Sequence, residues 1–225
     1  MVTRAILFDL FGTLVSGFSR DIYRASLFDL AGILNVDGDE FSKRWLDDTP
    51  NRGRGMYKSI PHVISTYTNL KEEDPRVRLA AKKREDLTIS SLQPKHDALA
   101  TLAELKKRGI KMGLVTNCSQ EVPTLILKNP MYPFFDSLSY SSVLGVMKPD
   151  ERIYRHALES LNVEARDAMF VGDGDCNELT GARKLGIKAV QIKGEELKDA
   201  FTLSNKRDSS DIVIEQLSEV LSLLD

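Results

Sequence analysis

Arg4-Ala5-Ile6-Leu7-Phe8-Asp9-Leu10-Phe11-Gly12-Thr13-Leu14-Val15 is the stretch whose reading decides the fold. Ala5 to Phe8 is a short apolar run of the kind that forms a buried strand. It stops at a carboxylate, Asp9, and Gly12-Thr13 then reads as a tight loop. Open parallel sheets bind ligands outside the carboxyl ends of their strands. An Asp at such an end sits at the mouth of a site, partly dehydrated and able to attack an electrophile. Taken alone, Asp9 is more simply a residue that ends a strand; three later segments change that balance.

Outside this stretch, composition narrows the class. The 225 residues suffice for one large domain or for a core with a smaller insert, and 42% apolar residues is ordinary for a packed globular chain. Lys and Arg number 31 against 33 Asp and Glu, a net charge of -2 that points to neither nucleic acid nor an anionic membrane as partner. No apolar run approaches the roughly 18 residues of a membrane span. The opening residues do not read as a signal peptide, so the cytoplasm is the expected compartment. Cys118 and Cys176 are too few for a disulfide framework or a zinc site.

After Val15 the text turns helical. Ser16-Gly17 looks like a hinge, and apolar residues recur at helical spacing in Ile22, Leu27 and Leu30 and again in Phe41, Trp45 and Leu46. Two more helices fit residues 57–70 and 74–89. Residues 17–91 therefore read as a compact helical insert, with 1–16 and 92–225 as the core. From Leu92 onward helix and strand alternate. Strands fit residues 110–115, 137–140, 168–171, 187–192 and 211–214. Helices fit 96–108, 120–128, 150–161, 178–185 and 216–224. Such alternation argues for an α/β fold, a doubly wound, Rossmann-like parallel sheet.

Several strands now lead into polar residues: Asp9, Thr116-Asn117, Lys148 (a loop beyond its strand) and Asp173. Crossover connections put those ends on one rim. Asp175 and Glu178 follow close behind. Several carboxylates in one cleft repel one another unless protonated or bridged by a cation. An oxygen-rich site with few protein carboxylates suits magnesium.

The order Asp-x-x-Gly-Thr, Thr-Asn after an apolar strand, Lys-Pro, then Gly-Asp followed by an acid resembles the haloacid dehalogenase-like hydrolase superfamily. The resemblance covers most of the chain, with the helical insert matching the family's cap in its first insertion position. It implies that Asp9 attacks the substrate and forms a covalent aspartyl intermediate. It implies that Asp9, the Phe11 carbonyl and Asp173 hold Mg²⁺, with Glu178 behind them holding a metal-bound water. Thr116 and the Asn117 backbone N–H would bind phosphoryl oxygens, and Lys148 would offset negative charge. Gly12 and Thr13 are candidate substrate contacts. The substrate class implied is a small phosphorylated metabolite.

Each residue also has a duller role open to it. Thr116 and Asn117 suit an ordinary turn, Lys148 a solvated surface, and Asp175 the cap of the next helix. Glu178 suits a helix dipole, and Tyr154 packing. Asn51-Arg52-Gly53-Arg54-Gly55 reads as a mobile loop joining two helices, with Arg52 and Arg54 as candidate anion contacts or simply a basic turn. One departure matters most. Phosphatases of the family carry Asp two residues after the nucleophile, whereas this chain carries Phe11, which can neither donate nor accept a proton. A missing general acid costs about 10²–10⁴ in rate, most severely for alkyl phosphates. Dehalogenases of the family tolerate an aromatic there because halide leaves unprotonated, but they use no metal. A 2-haloacid dehalogenase without metal is thus the first alternative, and a degenerate module binding a phospho-ligand or protein the second. Neither substrate nor oligomeric state, monomer or homodimer, is fixed by these residues.

Overall fold

The computed structural model describes residues 2–194, 200–203 and 207–224. Among them, six strands form one sheet: β1 (Ala5–Phe8), β2 (Lys111–Thr116), β3 (Ser137–Tyr140), β4 (Ala168–Gly172), β5 (Lys188–Ile192) and β6 (Val213–Ile214). Their order is β3-β2-β1-β4-β5-β6 and every pairing is parallel. β1 is central, which explains its unbroken apolar sequence: both of its faces are covered. Ile6 and Phe8 face one core beside Leu102 and Met112, while Ala5 and Leu7 face the other beside Ile153 and Ala157. The alternation of successive side chains along a strand produces this division.

Helices α1 (Arg20–Leu34), α2 (Gly38–Asp47), α3 (Thr49–Gly53), α4 (Ile60–Thr68) and α5 (Pro75–Ser91) lie between β1 and β2 in sequence. They share a third core around Tyr23, Leu27, Trp45, Ile64 and Val77. Sequence signals set their starts. Asp37 accepts the Glu40 N–H at 2.8 Å to open α2, and Ser59 accepts the His62 N–H at 3.2 Å to open α4. Trp45, the largest side chain wholly inside, donates its indole N–H to the Tyr23 hydroxyl at 3.0 Å, so its polar edge is satisfied.

The remaining helices are α6 (Ala98–Lys107), α7 (Val122–Leu125), α8 (Ser141–Leu144), α9 (Glu151–Leu161) and α10 (Glu178–Lys184). α6 packs on one face of the sheet, α9 and α10 on the other, giving the doubly wound α/β layers expected from the sequence. Three stretches differ from expectation. Residues 120–128 form only the four-residue α7 and a following 3₁₀ turn, Ile126–Lys128. The closing helix is 3₁₀, Leu217–Leu223, begun by Gln216 and Glu219 exchanging side-chain and backbone bonds. Residues 51–55 are not a free loop, because α3 runs through Gly53 from Pro50 in its first turn, and the Arg54 N–H returns to the Pro50 carbonyl at 3.0 Å. Among the described residues no helix is long and apolar enough to cross a membrane.

Leu7 is completely buried between β1 and the helices behind it. Leu7→Ala should lower unfolding free energy by about 2–5 kcal/mol, measured as a fall in the urea midpoint at unchanged slope.

Candidate active site

Winding of the sheet reverses between β1 and β4, since β2 and β3 add to one side and β5 and β6 to the other. A crevice opens beyond the carboxyl ends of strands at such a point. Asp9 follows β1 and Asp173 follows β4. The Asp9 N–H donates to the Val171 carbonyl at 2.9 Å, so pairing continues one residue past the strand and fixes where the carboxylate emerges. Glu178, the first residue of α10, joins them. One carboxylate oxygen from each of Asp9, Asp173 and Glu178 lies within 4.8 Å of the others, and all three residues are at least 95% buried.

Two glycines permit this crowding. At Gly12, with φ +80°, a Cβ would come within 2.6 Å of Asp173 Oδ2, and at Gly172 a Cβ would collide with Glu178 Oε1. Lys148 lies between the acids: its Nζ donates to Asp9 Oδ1 and, at 2.5 Å, to Glu178 Oε2. The Gly174 N–H donates to Glu178 Oε1 at 2.9 Å, and Arg207 Nε donates to Asp173 Oδ2 at 2.9 Å. Asn117 clamps the lysine's backbone, accepting its N–H at 2.8 Å and donating to its carbonyl at 3.4 Å. Lys148 is thus no surface residue, and Glu178 does more than face a helix dipole.

Burial pushes the carboxyl pKa of Asp9 up, and the charge of Asp173 adds to the shift against the pull of Lys148. Burial also drives Glu178 well above the usual carboxylate range, with Lys148 opposing and the other two acids reinforcing. Burial alone would weaken the Lys148 ammonium, but the charges of Asp9 and Glu178 prevail and hold its pKa well above normal. Among the described residues, two cations, Lys148 and Arg207, pair with the three buried carboxylates, so the cluster gains by taking up another positive charge. The donors are oxygens, and they fit a hard divalent cation.

The same cavity is lined by Asp9, Gly12, Asn117, Lys148, Asp173 and Glu178, with the Phe11 ring stacked at 5.6 Å on Phe18 at its edge. Arg52 also faces it, but Arg54 is exposed and borders a second depression beside Asp150 and Arg152. Thr13 and Thr116 are completely buried behind the wall. The Thr13 hydroxyl donates to Asp9 Oδ2 at 3.3 Å, and that of Thr116 to the Asn117 carbonyl at 3.5 Å. Asp175 does not cap α10: it accepts the N–H groups of Cys176 and Leu203, and Asn177 holds the capping position. Tyr154 packs edge-on to Phe170 and donates to the Glu178 carbonyl at 2.8 Å, which anchors α10.

Arg84, Glu121, Phe201 and Arg207 at or beside the cavity have no counterpart in the sequence reading. A signal for Arg84 existed. Val77, Ala80, Ala81, Arg84 and Thr88 follow helical spacing and form the buried face of α5. Its charged neighbours Lys82, Lys83, Glu85 and Asp86 mask it in the sequence.

A family model for haloacid dehalogenase-like hydrolases matches residues 3–186. A glyceraldehyde 3-phosphate phosphatase of Methanocaldococcus jannaschii is 26% identical over 232 residues, covering 98% of this chain and 96% of the relative. Among solved structures, a 2-haloacid dehalogenase from Pseudomonas syringae pv. Tomato superposes with a TM-score of 0.73 at 21% identity, covering 99% of this chain and 98% of that one. A HAD phosphatase from Thermococcus onnurineus gives 0.70 at 22% identity, with 98% and 97% coverage. These two likenesses are of fold.

Cys118 and Cys176 both border the cavity, and burial pushes each thiol up to about 12, with the charge of Asp175 adding at Cys176. At pH 8 both should remain thiols and react with Ellman's reagent at under about one tenth of the rate seen in urea, because the thiolate is the nucleophile.

Proposed function

The chain belongs to the haloacid dehalogenase-like hydrolases, and we propose that it is a magnesium-dependent phosphohydrolase acting on a small phosphorylated metabolite through an aspartyl-phosphate. The observation that carries this reading is the buried triad of Asp9, Asp173 and Glu178 around Lys148. A 2-haloacid needs cationic surroundings for its carboxylate. A nucleophile flanked by two further acids suits a phosphoryl group that arrives with a divalent cation. The name of the archaeal relative, a glyceraldehyde 3-phosphate phosphatase, supports the same substrate class.

Asp9, the Phe11 carbonyl and Asp173 would hold magnesium, with Glu178 behind them, and the ion would supply charge neutralisation and orientation of the phosphoryl group. Asp9 attacks phosphorus, the bond to the leaving oxygen breaks, and the phosphoryl group is carried on the Asp9 carboxylate. Lys148 stays protonated beside it and offsets the charge of nucleophile and substrate. The Asn117 backbone N–H would donate to a phosphoryl oxygen, with Thr116 buried behind it and kept from that contact, while the Asn117 side chain keeps Lys148 in place. Gly12 and Thr13 shape the loop around Asp9. Water then cleaves the acyl phosphate, releasing inorganic phosphate and restoring Asp9.

Phe11 sets the limit of this chemistry. No proton reaches the leaving oxygen from that position, so acyl and aryl phosphates, whose leaving groups are weakly basic, suffer least. Residues 17–91 act as the cap that selects the substrate over a core of 1–16 and 92–225, with Arg52 on its wall. The reaction belongs to the cytoplasm. Phe11 also favours one second reading, halide release without metal, since halide needs no proton.

Acetyl phosphate and p-nitrophenyl phosphate should be hydrolysed with Mg²⁺ and not with EDTA, and Asp9→Asn should abolish phosphate release. Chloride release from 2-chloropropionate in EDTA would replace this reading by the dehalogenase. Silence in both assays, with ligand-induced thermal stabilisation retained, would replace it by a binding module. Phe11→Asp should raise alkyl-phosphate turnover by about 10²–10⁴; no gain would refute the role given to the missing acid.

A further inference from the structure

The wall of the cavity formed by α5 and the turn before α7 carries a buried charge pair that the phosphoryl chemistry does not use. Arg84 Nη2 lies 4.0 Å from Glu121 Oε1, and both residues are more than 90% buried. Glu121 Oε1 also accepts from the hydroxyls of Ser119, at 2.8 Å, and Thr88, at 3.3 Å. Among the described residues, Nε and Nη1 of Arg84 and Oε2 of Glu121 have no hydrogen-bond partner. Both residues line the cavity that Asp9 and Lys148 line. Rings of Phe18, Tyr23 and Trp45 sit 5.1, 5.1 and 5.7 Å from the guanidinium carbon, holding its plane in place without meeting its hydrogen-bonding needs.

Buried polar groups left unpaired cost about 1–3 kcal/mol each in general, and such orphans call for an explanation. Here two donors of Arg84 and one acceptor of Glu121 are buried without partners in side chains that both line the cavity. An anion would gain little, since Glu121 already cancels the charge of Arg84 and its free oxygen would repel a carboxylate or second phosphate. Another cation lining the cavity, Arg52 on α3, spends donors on the Trp45 carbonyl, the Tyr67 hydroxyl and Thr49 Oγ1. A hydroxyl meets the need, because it accepts from Arg84 and donates to Glu121 at once. The geometry points to a substrate whose end remote from the phosphate is neutral and hydroxylated, recognised by Arg84 and Glu121 and distinguished by Glu121 from carboxylate-bearing analogues. This assignment rests on the phosphohydrolase reading for the placement of the phosphate, and it deepens that reading by naming the substrate's other end.

Glycerol 3-phosphate and 3-phosphoglycerate form a matched pair of probes, differing only in a terminal CH₂OH against a carboxylate. Their binding to the full-length Asp9→Asn protein with magnesium, measured by calorimetry, reads recognition without turnover. Glycerol 3-phosphate should bind at least about tenfold more tightly, as like-charge contacts are strongly disfavoured. The ratio should fall towards one with Glu121→Gln and persist with Glu121→Asp, which keeps the charge. Equal binding, preference for the carboxylate, binding of neither probe, or a ratio that Glu121→Gln leaves unmoved each overturns the assignment. Should Glu121→Gln not fold, the ratio in the Asp9→Asn background decides alone. Phosphate release by the wild-type protein from acetyl phosphate is read separately. Its absence alongside the expected binding ratio would remove the reaction and leave the recognition site standing.

Discussion

One buried ammonium group organises the catalytic end of this molecule. Lys148 contacts Asp9 and Glu178 directly, and the three residues come from the end of β1, the loop before α9 and the start of α10. Without that cation, the acids would face each other in a dry pocket, where a lone ionised carboxylate is prohibitively unstable. The lysine cannot satisfy all of them. Asp173 draws on Arg207, so among the described residues two cations pair with the three acids. On the proposed function, this imbalance is what a divalent ion arriving with a phosphoryl group would relieve.

Positioning of Lys148 is a second layer of the same constraint. A long, flexible lysine is a poor choice for a fixed contact unless its backbone is held. Asn117, immediately after β2, binds both the N–H and the carbonyl of Lys148, so the second strand indexes the lysine to the first. Tyr154 does the same for α10 by binding the Glu178 carbonyl from α9. Sheet, lysine and acids are therefore tied by side-chain bonds to backbone, which are less easily displaced than contacts between flexible side chains.

Much of this arrangement could be read from residues alone, and the reasons are physical. Strands β1, β2 and β4 are apolar runs because both of their faces are covered, and each leads into polar groups because the sheet ends there. Asp9 and Asp173 were legible for that reason, whereas Lys148, in a loop beyond β3 and α8, and Glu178, on α10, drew their roles from the motif order. Arg84 and Glu121 were not. Their meaning depends on which face of α5 is turned inward and on where a short helix stops, and both are decided by tertiary packing rather than local pattern. Residues 51–55 misled in the opposite direction. Glycine beside arginine suggested a loop, but Pro50 and the returning Arg54 N–H make it helical, and only Arg52 of its two arginines reaches the cavity.

The parallel pairing of β1 with β4 joins residues 5–8 to residues 168–171, far apart in sequence. During synthesis the amino-terminal segment emerges first and domains fold as units. A ribosome-bound polypeptide that has emerged only as far as α9 already contains Asp9 and Lys148, yet it lacks β4, one of the two strands that flank β1, and both of the other acids. Asp9, the nucleophile of the proposed chemistry, is made early and joined by its partner acids late. On the proposed chemistry, competence to react therefore waits for β4 to dock and bring Asp173 and Glu178 to Asp9.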